Sequence, residues 1–345
     1  MASLDVVVTC YQYGHFLREC VASILAQQID GLRVLIIDNA STDNSLEVAR
    51  QLAEEDCRIE VAAHERNLGH VASFNEGIDW AKADYFAMVC ADDLLTPGSF
   101  ARAISFLEQH REAGFAIGKE ILFRDGEALP EIPLEGEAQW RILSGPDFIA
   151  DRCRKLYTGP AVVRTAIQKK AGHYREALFF TCDYEMLLRL ATFGDVAETA
   201  YPQGYRRLHG TNLAVVHQLD RALDLGEFEA AFESFFQNEG RPLAEERHLD
   251  RLARRNLVEN AYWWGVRDLT KGRWRAGFSL LRFAFTRSPI LLFVPPLGFL
   301  CEENRPLYRL AQAVQKIILS SRKYPQSPSA TPPVKRTNSN SKIAG

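Results

Sequence analysis

Over its first 125 residues the chain alternates short apolar runs with stretches whose apolar positions recur every three or four residues. VVVT at 6–9, VLII at 34–37, IEV at 59–61 and YFAMV at 85–89 read as strands. Helices are expected near 16–27, 46–54, 71–81 and 97–110. Strands that are apolar throughout are covered on both faces, so the pattern predicts an α/β fold with a mostly parallel sheet between helices. Ligands of such sheets bind beyond the C-terminal ends of the strands. Four polar stretches fall there: 9–13, 38–43, 67–69 and Asp92-Asp93.

The pattern breaks into turns from about 128 to 145, around Pro130, Pro133 and Gly136. A second lobe is expected over 126–215, with a helix near 183–192 and a short strand around 196–200. Helical patterns then dominate 216–323, and the Pro-, Ser-, Asn- and Lys-rich residues 324–345 predict a disordered tail. Within the helical region, Trp274, Phe278, Leu281 and Phe285 share one helix face, while Arg275, Ser279, Arg282 and Thr286 share another. The apolar run that follows, 290–301, is too short to span a bilayer and is broken by Pro295-Pro296. Residues 274–301 therefore read either as a peripheral membrane contact or as ordinary packing.

Composition narrows the class. The chain has 345 residues, 47% hydrophobic and 25% charged, and a net charge of −3, which gathers no nucleic acid. Seven cysteines without a C-x-x-C pair predict reduced thiols in a cytoplasmic protein. MASLDVVVTC carries no signal-peptide pattern.

The chemistry centres on VCADDLLTPG at 89–98. Acidic residues favour helix starts, and Thr96-Pro97 resembles an N-cap followed by proline, but one cap accounts for one acid only. Two adjacent carboxylates at an open strand end repel each other, and a hard divalent cation relieves that repulsion while leaving room for phosphate oxygens. In DNASTDNS at 38–45, Asp43 or Ser45 is placed to cap the next helix, whereas Asp38 stands at the strand end, within reach of a ligand. Asn67 can donate and accept, and Gly69 would let a ligand approach the backbone. Neither G-x-G-x-x-G nor a P-loop occurs.

Together, VVVTCYQYG, LIIDNASTDNS, RNLGHVASFNEGI and YFAMVCADD resemble the glycosyltransferase family 2 enzymes, whose nucleotide-sugar domain has the GT-A fold. The resemblance continues more loosely through TCDYEMLLRLATFG and YRRLHG to about residue 215. It implies a nucleotide-sugar half at 1–125, an acceptor half with the catalytic base at 126–215, and a helical extension beyond. It further implies that Asp93 holds Mg²⁺ or Mn²⁺, that Asp92 contacts the donor ribose or the metal shell, and that Thr9 and Tyr11 flank the base. Asp38 and Asn39 would hold the base, with the Asn39 amide oxygen accepting from a ring N–H. Asp183 would be the general base, and His209 would complete the metal or diphosphate site, with Arg206 and Arg207 facing the diphosphate as the alternative; His15, His64, His70 and His173 receive no role.

The reading is an inverting, metal-dependent transferase that moves a sugar from a nucleoside diphosphate, UDP by resemblance, to a glycan or lipid-linked acceptor in cell-surface polysaccharide synthesis. The chain departs from the family pattern at Cys90, Asn39 and Cys182, where acids are usual. Those departures keep open a non-catalytic relative that binds nucleotide or glycan. A nucleotidyltransferase would want a glycine-rich basic loop after the first strand, which CYQYGHF lacks.

Overall fold

The computed structural model describes residues 2–132, 139–212 and 220–296. Expectations for 297–345, including the tail at 324–345, lie outside the described residues, as do Pro133, Gly136 and Cys301.

The first half of the sequence pattern is realised element by element: β1 (Ser3–Cys10), α1 (Gly14–Leu25), β2 (Gly31–Asp38), α2 (Ser45–Glu55), β3 (Ile59–Ala63), α3 (His70–Trp80) and β4 (Tyr85–Cys90). These four strands are parallel, in the order β3-β2-β1-β4. Side chains alternate across the sheet as strand geometry requires. Leu4, Val6 and Val8 of β1 join one hydrophobic cluster with Leu17, Val21 and Ile24 of α1, while Val7 joins another with Val71, Phe74 and Ile78 of α3.

After β4 come β5 (Leu94–Leu95), α4 (Ser99–Gln109), β6 (Ala113–Arg124), β7 (Trp140–Leu143), α5 (Gly145–Arg154), β8 (Ala161–Arg164), α6 (Thr165–Ala171), α7 (Cys182–Leu190) and β9 (Asp195–Leu208). The strands extend the same sheet in the order β4-β8-β6-β9-β5, with β7 also on β9. Antiparallel pairing enters through β8, β5 and β7.

Two local expectations change. The short strand expected around 196–200 is instead a long one, because β9 follows β6 through three register shifts that its polar residues disguise in the sequence. Helix α4 starts at Ser99 rather than Pro97, after Gly98 at φ 67°. Thr96 does not cap it: Thr96 N donates to the Gln203 carbonyl (3.1 Å) and Thr96 Oγ1 to that of Pro202 (2.9 Å), tying the chain after Asp93 onto β9.

The C-terminal region supplies α8 (Arg221–Gln237), α9 (Glu246–Thr270), α10 (Trp274–Arg287) and a 3₁₀ turn at Pro289–Leu292. Helices α9 and α10 approach closely at Gly265 and Gly277, where a Cβ on either would lie about 3 Å from the other's carbonyl oxygen. Met1–Val294 form one compact unit.

Candidate active site

The strand ends open into a cleft of about 1080 Å³. Thr9, Tyr11, Asn39, Asn67, Asp92, Asp93, Asp183 and His209 all line it; Asp38 does not.

At its floor, β4 runs out at Cys90 and the chain turns through Asp92 and Asp93. Both carboxylates are held from β9 and the residues just after it. Asp93 Oδ1 accepts from the Arg207 backbone N–H at 3.1 Å. Asp92 Oδ2 accepts from Asn212 Nδ2 at 2.9 Å and lies 3.1 Å from His209 Nε2. His209 Nε2 therefore has Asp92 as its partner, and it bonds to Asp92 rather than to Asp93.

Arg207 does not face the cleft. Its guanidinium lies between the rings of Phe16 and Phe123 (4.5 and 4.7 Å), donates to the Asp92 carbonyl at 3.1 Å, and pairs with Asp125 at 3.0 Å and Glu19 at 2.5 Å. Buried and saturated, it is a strut under the acidic turn. Arg206, one residue back and so on the opposite face of β9, does line the cleft, 3.1 Å from Glu120 Oε1.

Cys90, Asp92 and Asp93 offer ligand atoms that all lie within 4.8 Å of one another. Desolvation, and then the neighbouring Asp92 charge, push the Asp93 carboxyl well above the usual carboxylate range. A bound cation reverses that penalty, and two hard carboxylates suit Mg²⁺ or Mn²⁺. The donor set fits a divalent cation at this place, with the Cys90 thiol at its edge.

Asp183 is the second residue of α7, where helix N–H groups remain unpaired along the chain and favour negative charge. Its Oδ1 accepts from Tyr184 N at 2.7 Å, and the Thr158 hydroxyl also bonds to the carboxyl. It opens onto the cleft while protein crowds its other sides, and this desolvation raises its pKa. Glu185, two residues on, is fully buried and belongs to the framework: Arg189 Nε lies 2.9 Å from Oε2, and Arg175 pairs with Oε1.

At the opposite end Asn39 is a hub. Its Oδ1 accepts from Leu68 N at 2.9 Å and lies 2.8 Å from His64 Nδ1, while its Nδ2 donates to Asn67 Oδ1 at 3.0 Å. The Leu68 N–H can only donate, so the amide orientation is unambiguous. The expected role for the amide oxygen is therefore displaced: it is already occupied by the β3–α3 loop, and what remains for a ligand is the second Nδ2 hydrogen. Asp38 is buried, its Oδ2 accepting from Ser41 N at 3.1 Å and its Oδ1 without a hydrogen-bond partner among the described residues. Gly69 serves the turn: it precedes α3 at φ 84° and donates its N–H to Asn67 Oδ1 at 2.8 Å.

Several cleft or supporting residues carried no sequence signal. His64 links Asn39 to Glu76 (2.6 Å from Nε2). Gln12, at φ 62°, lines the cleft and donates its N–H to Ser41 Oγ, joining the loops after β1 and β2. Helix α8 of the C-terminal extension adds Asp224 and Phe228 to the wall near Phe179 and Phe180. Only the φ > 0 at Gln12 marks a residue type out of place, and a sequence does not display it.

Residues 5–154 match the family described as glycosyl transferase family 2. The chain carries a glycosyltransferase family 2 domain. Among relatives, the uncharacterised glycosyltransferase YibD of Escherichia coli is 25% identical over 226 residues, 62% of this chain. The match spans 64% of YibD, just under two thirds of its length. The putative glycosyltransferase EpsE of Bacillus subtilis is 31% identical over 139 residues, 39% of this chain and 50% of EpsE. Among solved structures, Staphylococcus aureus TarS (residues 1–349, in complex with UDP) superposes with a TM-score of 0.59 at 15% identity, covering 94% of this chain and 93% of that one. A Pyrobaculum calidifontis mannosyltransferase in complex with GDP-mannose and Mn²⁺ gives 0.56 at 14% identity, covering 92% and 81%. These likenesses establish the GT-A fold of the family 2 domain and its helical extension.

Proposed function

We propose that this chain is an inverting, divalent-cation-dependent glycosyltransferase that moves a sugar from a nucleoside diphosphate to a hydroxyl of a glycan or lipid-linked acceptor in cell-surface polysaccharide synthesis, working at the cytoplasmic face of the membrane. The observation that carries the reading is the meeting of three groups in one cleft: the Asp92-Asp93 pair, the Asp183 carboxylate and the Asn39-Asn67 loop.

In this reading Tyr11 and Thr9 flank the nucleobase and the Asn39 amide N–H meets a base carbonyl. Asp92 and Asp93 would hold Mg²⁺ or Mn²⁺, which when bound supplies positive charge for the diphosphate. Asp183 takes the proton from the acceptor hydroxyl as its oxygen bonds to the anomeric carbon; the carbon–oxygen bond to the diphosphate breaks on the opposite side, inverting the centre. Arg206 adds fixed charge beside the departing group. UDP is the favoured donor nucleotide by family resemblance, and TarS has been crystallised with UDP.

The test is melting temperature against a panel of nucleoside diphosphates and their sugars, with Mn²⁺, Mg²⁺ or EDTA. A cation-dependent rise with one nucleotide, lost in Asp93→Ala, is expected. No rise with any nucleotide would overturn the reading.

A further inference from the structure

Helix α10 presents three faces rather than two. The fold buries Gly277, Leu280, Phe283 and Ala284. The apolar stripe visible in the sequence is a different one: Leu281 and Phe285 lean partly onto α9, but Trp274 and Phe278 are each 60% exposed and stack on one another, centroids 6.3 Å apart. The chain beyond the helix continues in kind, with Ile290, Leu292, Phe293 (84% exposed) and Val294 all turned outward. Large apolar side chains gathered in this way mark a contact surface.

Charge identifies the contact. From 271 to 301 the sequence holds five basic residues and no acidic one, although the whole chain is net negative at −3. Arg273 pairs with Asp268, and Arg287 with Glu229 at 2.7 Å. Lys271, Arg275 and Arg282 remain on the exposed surface. A basic face beside exposed Trp, Phe, Leu and Ile is the composition of a segment lying in a lipid interface, and each basic residue adds attraction to anionic headgroups.

We infer that the face formed by Trp274, Phe278 and Ile290–Val294 docks on an anionic lipid surface, with Arg275 and Arg282 contacting headgroups. This deepens the proposed function and rests on it for its purpose. Phe228 lines the cleft, the next residue, Glu229, holds Arg287, and Ile290 follows three residues later. A lipid-linked acceptor would thus reach the cleft from the same membrane that α10 rests upon.

Flotation of the full chain with vesicles of phosphatidylcholine, alone or mixed with phosphatidylglycerol, tests the inference. The wild type should float with the mixed vesicles and much less with phosphatidylcholine alone. W274S/F278S/F293S should stay in the load. R275Q/R282Q should bind mixed vesicles roughly thirtyfold more weakly. All five substituted residues are on the surface, so the melting temperature of the unliganded chain should be unchanged and serves as the check on folding. A wild type that does not float, an apolar variant that floats like wild type, or equal binding to both vesicles would overturn it. So would concentration-dependent dimerisation abolished by W274S/F278S/F293S without any vesicle binding, which assigns the face to a second copy. Nucleotide binding and flotation are separate readouts, so failure of the donor reading cannot be mistaken for failure of this one.

Discussion

His209 Nε2 lies 3.1 Å from Asp92 Oδ2, joining the residue after β9 to the turn after β4 across 117 positions of sequence. Asn212 completes the grip on the same oxygen. Asp92 is therefore held by protein, while Asp93 keeps a carboxylate oxygen beyond the one bonded to Arg207 N. Asp93→Asn is expected to lower kcat by about 10²–10³, the scale of losing one transition-state charge stabiliser, and to raise the Mn²⁺ needed for half-maximal rate. His209→Ala should cost less in kcat. Titration of the initial rate with metal separates the two; an Asp93→Asn enzyme with unchanged metal dependence would remove Asp93 from the site.

Asp183 carries a cost that its chemistry explains. Its pKa is raised by desolvation, so between its unfolded and native pKa values the folded state binds more protons than the unfolded one, and stability falls as pH rises through that window. The ionised form that the proposed reaction requires at neutral pH is the less stable one. Asp183→Asn should raise the melting temperature at pH 7 and abolish transfer, while the wild-type kcat/KM should climb with pH along an acid limb displaced above the usual carboxylate range. Loss of stability in Asp183→Asn would contradict the argument.

The Asn39 hub predicts an effect on donor affinity alone. Asn39→Ala removes three hydrogen bonds that fix the 64–69 loop, whereas His64→Ala removes one of these together with the bond to Glu76. KM for the donor should rise about tenfold or more in the first and less in the second, at nearly constant kcat, since the bonds serve ground and transition states alike. Steady-state kinetics at saturating acceptor would reveal a kcat defect if the loop also shaped the reaction.

Glu185 predicts the opposite division. Its carboxylate is fully buried between Arg175 and Arg189, and Arg189 also donates to the Ala171 and His173 carbonyls at 2.7 and 2.8 Å. Arg189→Met should destabilise the fold by about 3–5 kcal/mol, because it removes one of the two cations that hold the buried Glu185 carboxylate and leaves the Ala171 and His173 carbonyls without their donor. Urea unfolding measures this directly; a change below about 1 kcal/mol would mean that the pair is dispensable.

Much of this protein is written locally. The βαβ series to residue 110 follows from periodicity alone, since a strand apolar on both faces and an amphipathic helix have few ways to bury themselves other than layered together. The polar strand ends that line the cleft, from Thr9 to Asp93, were legible for the same reason: the fold class dictates where ligands go. Asp183 was legible only through the family pattern, because one acid at a helix start has an equally good local explanation as a cap.

What the sequence could not determine depends on register and rotamer. Adjacent Arg206 and Arg207 look alike in YRRLHG, yet pairing of β9 with β6 and β5 sends one into the cleft and the other beneath it. The Asn39 amide oxygen reads as an acceptor for the base until Leu68 N occupies it. The apolar stripe of α10 reads equally as a packing face or a membrane contact until Gly277 lets α9 approach on another face. Periodicity, carried by each segment, determined the layers and the position of the cleft; which atom faces the ligand was decided by contacts between segments a hundred residues apart, which only the assembled sheet brings together.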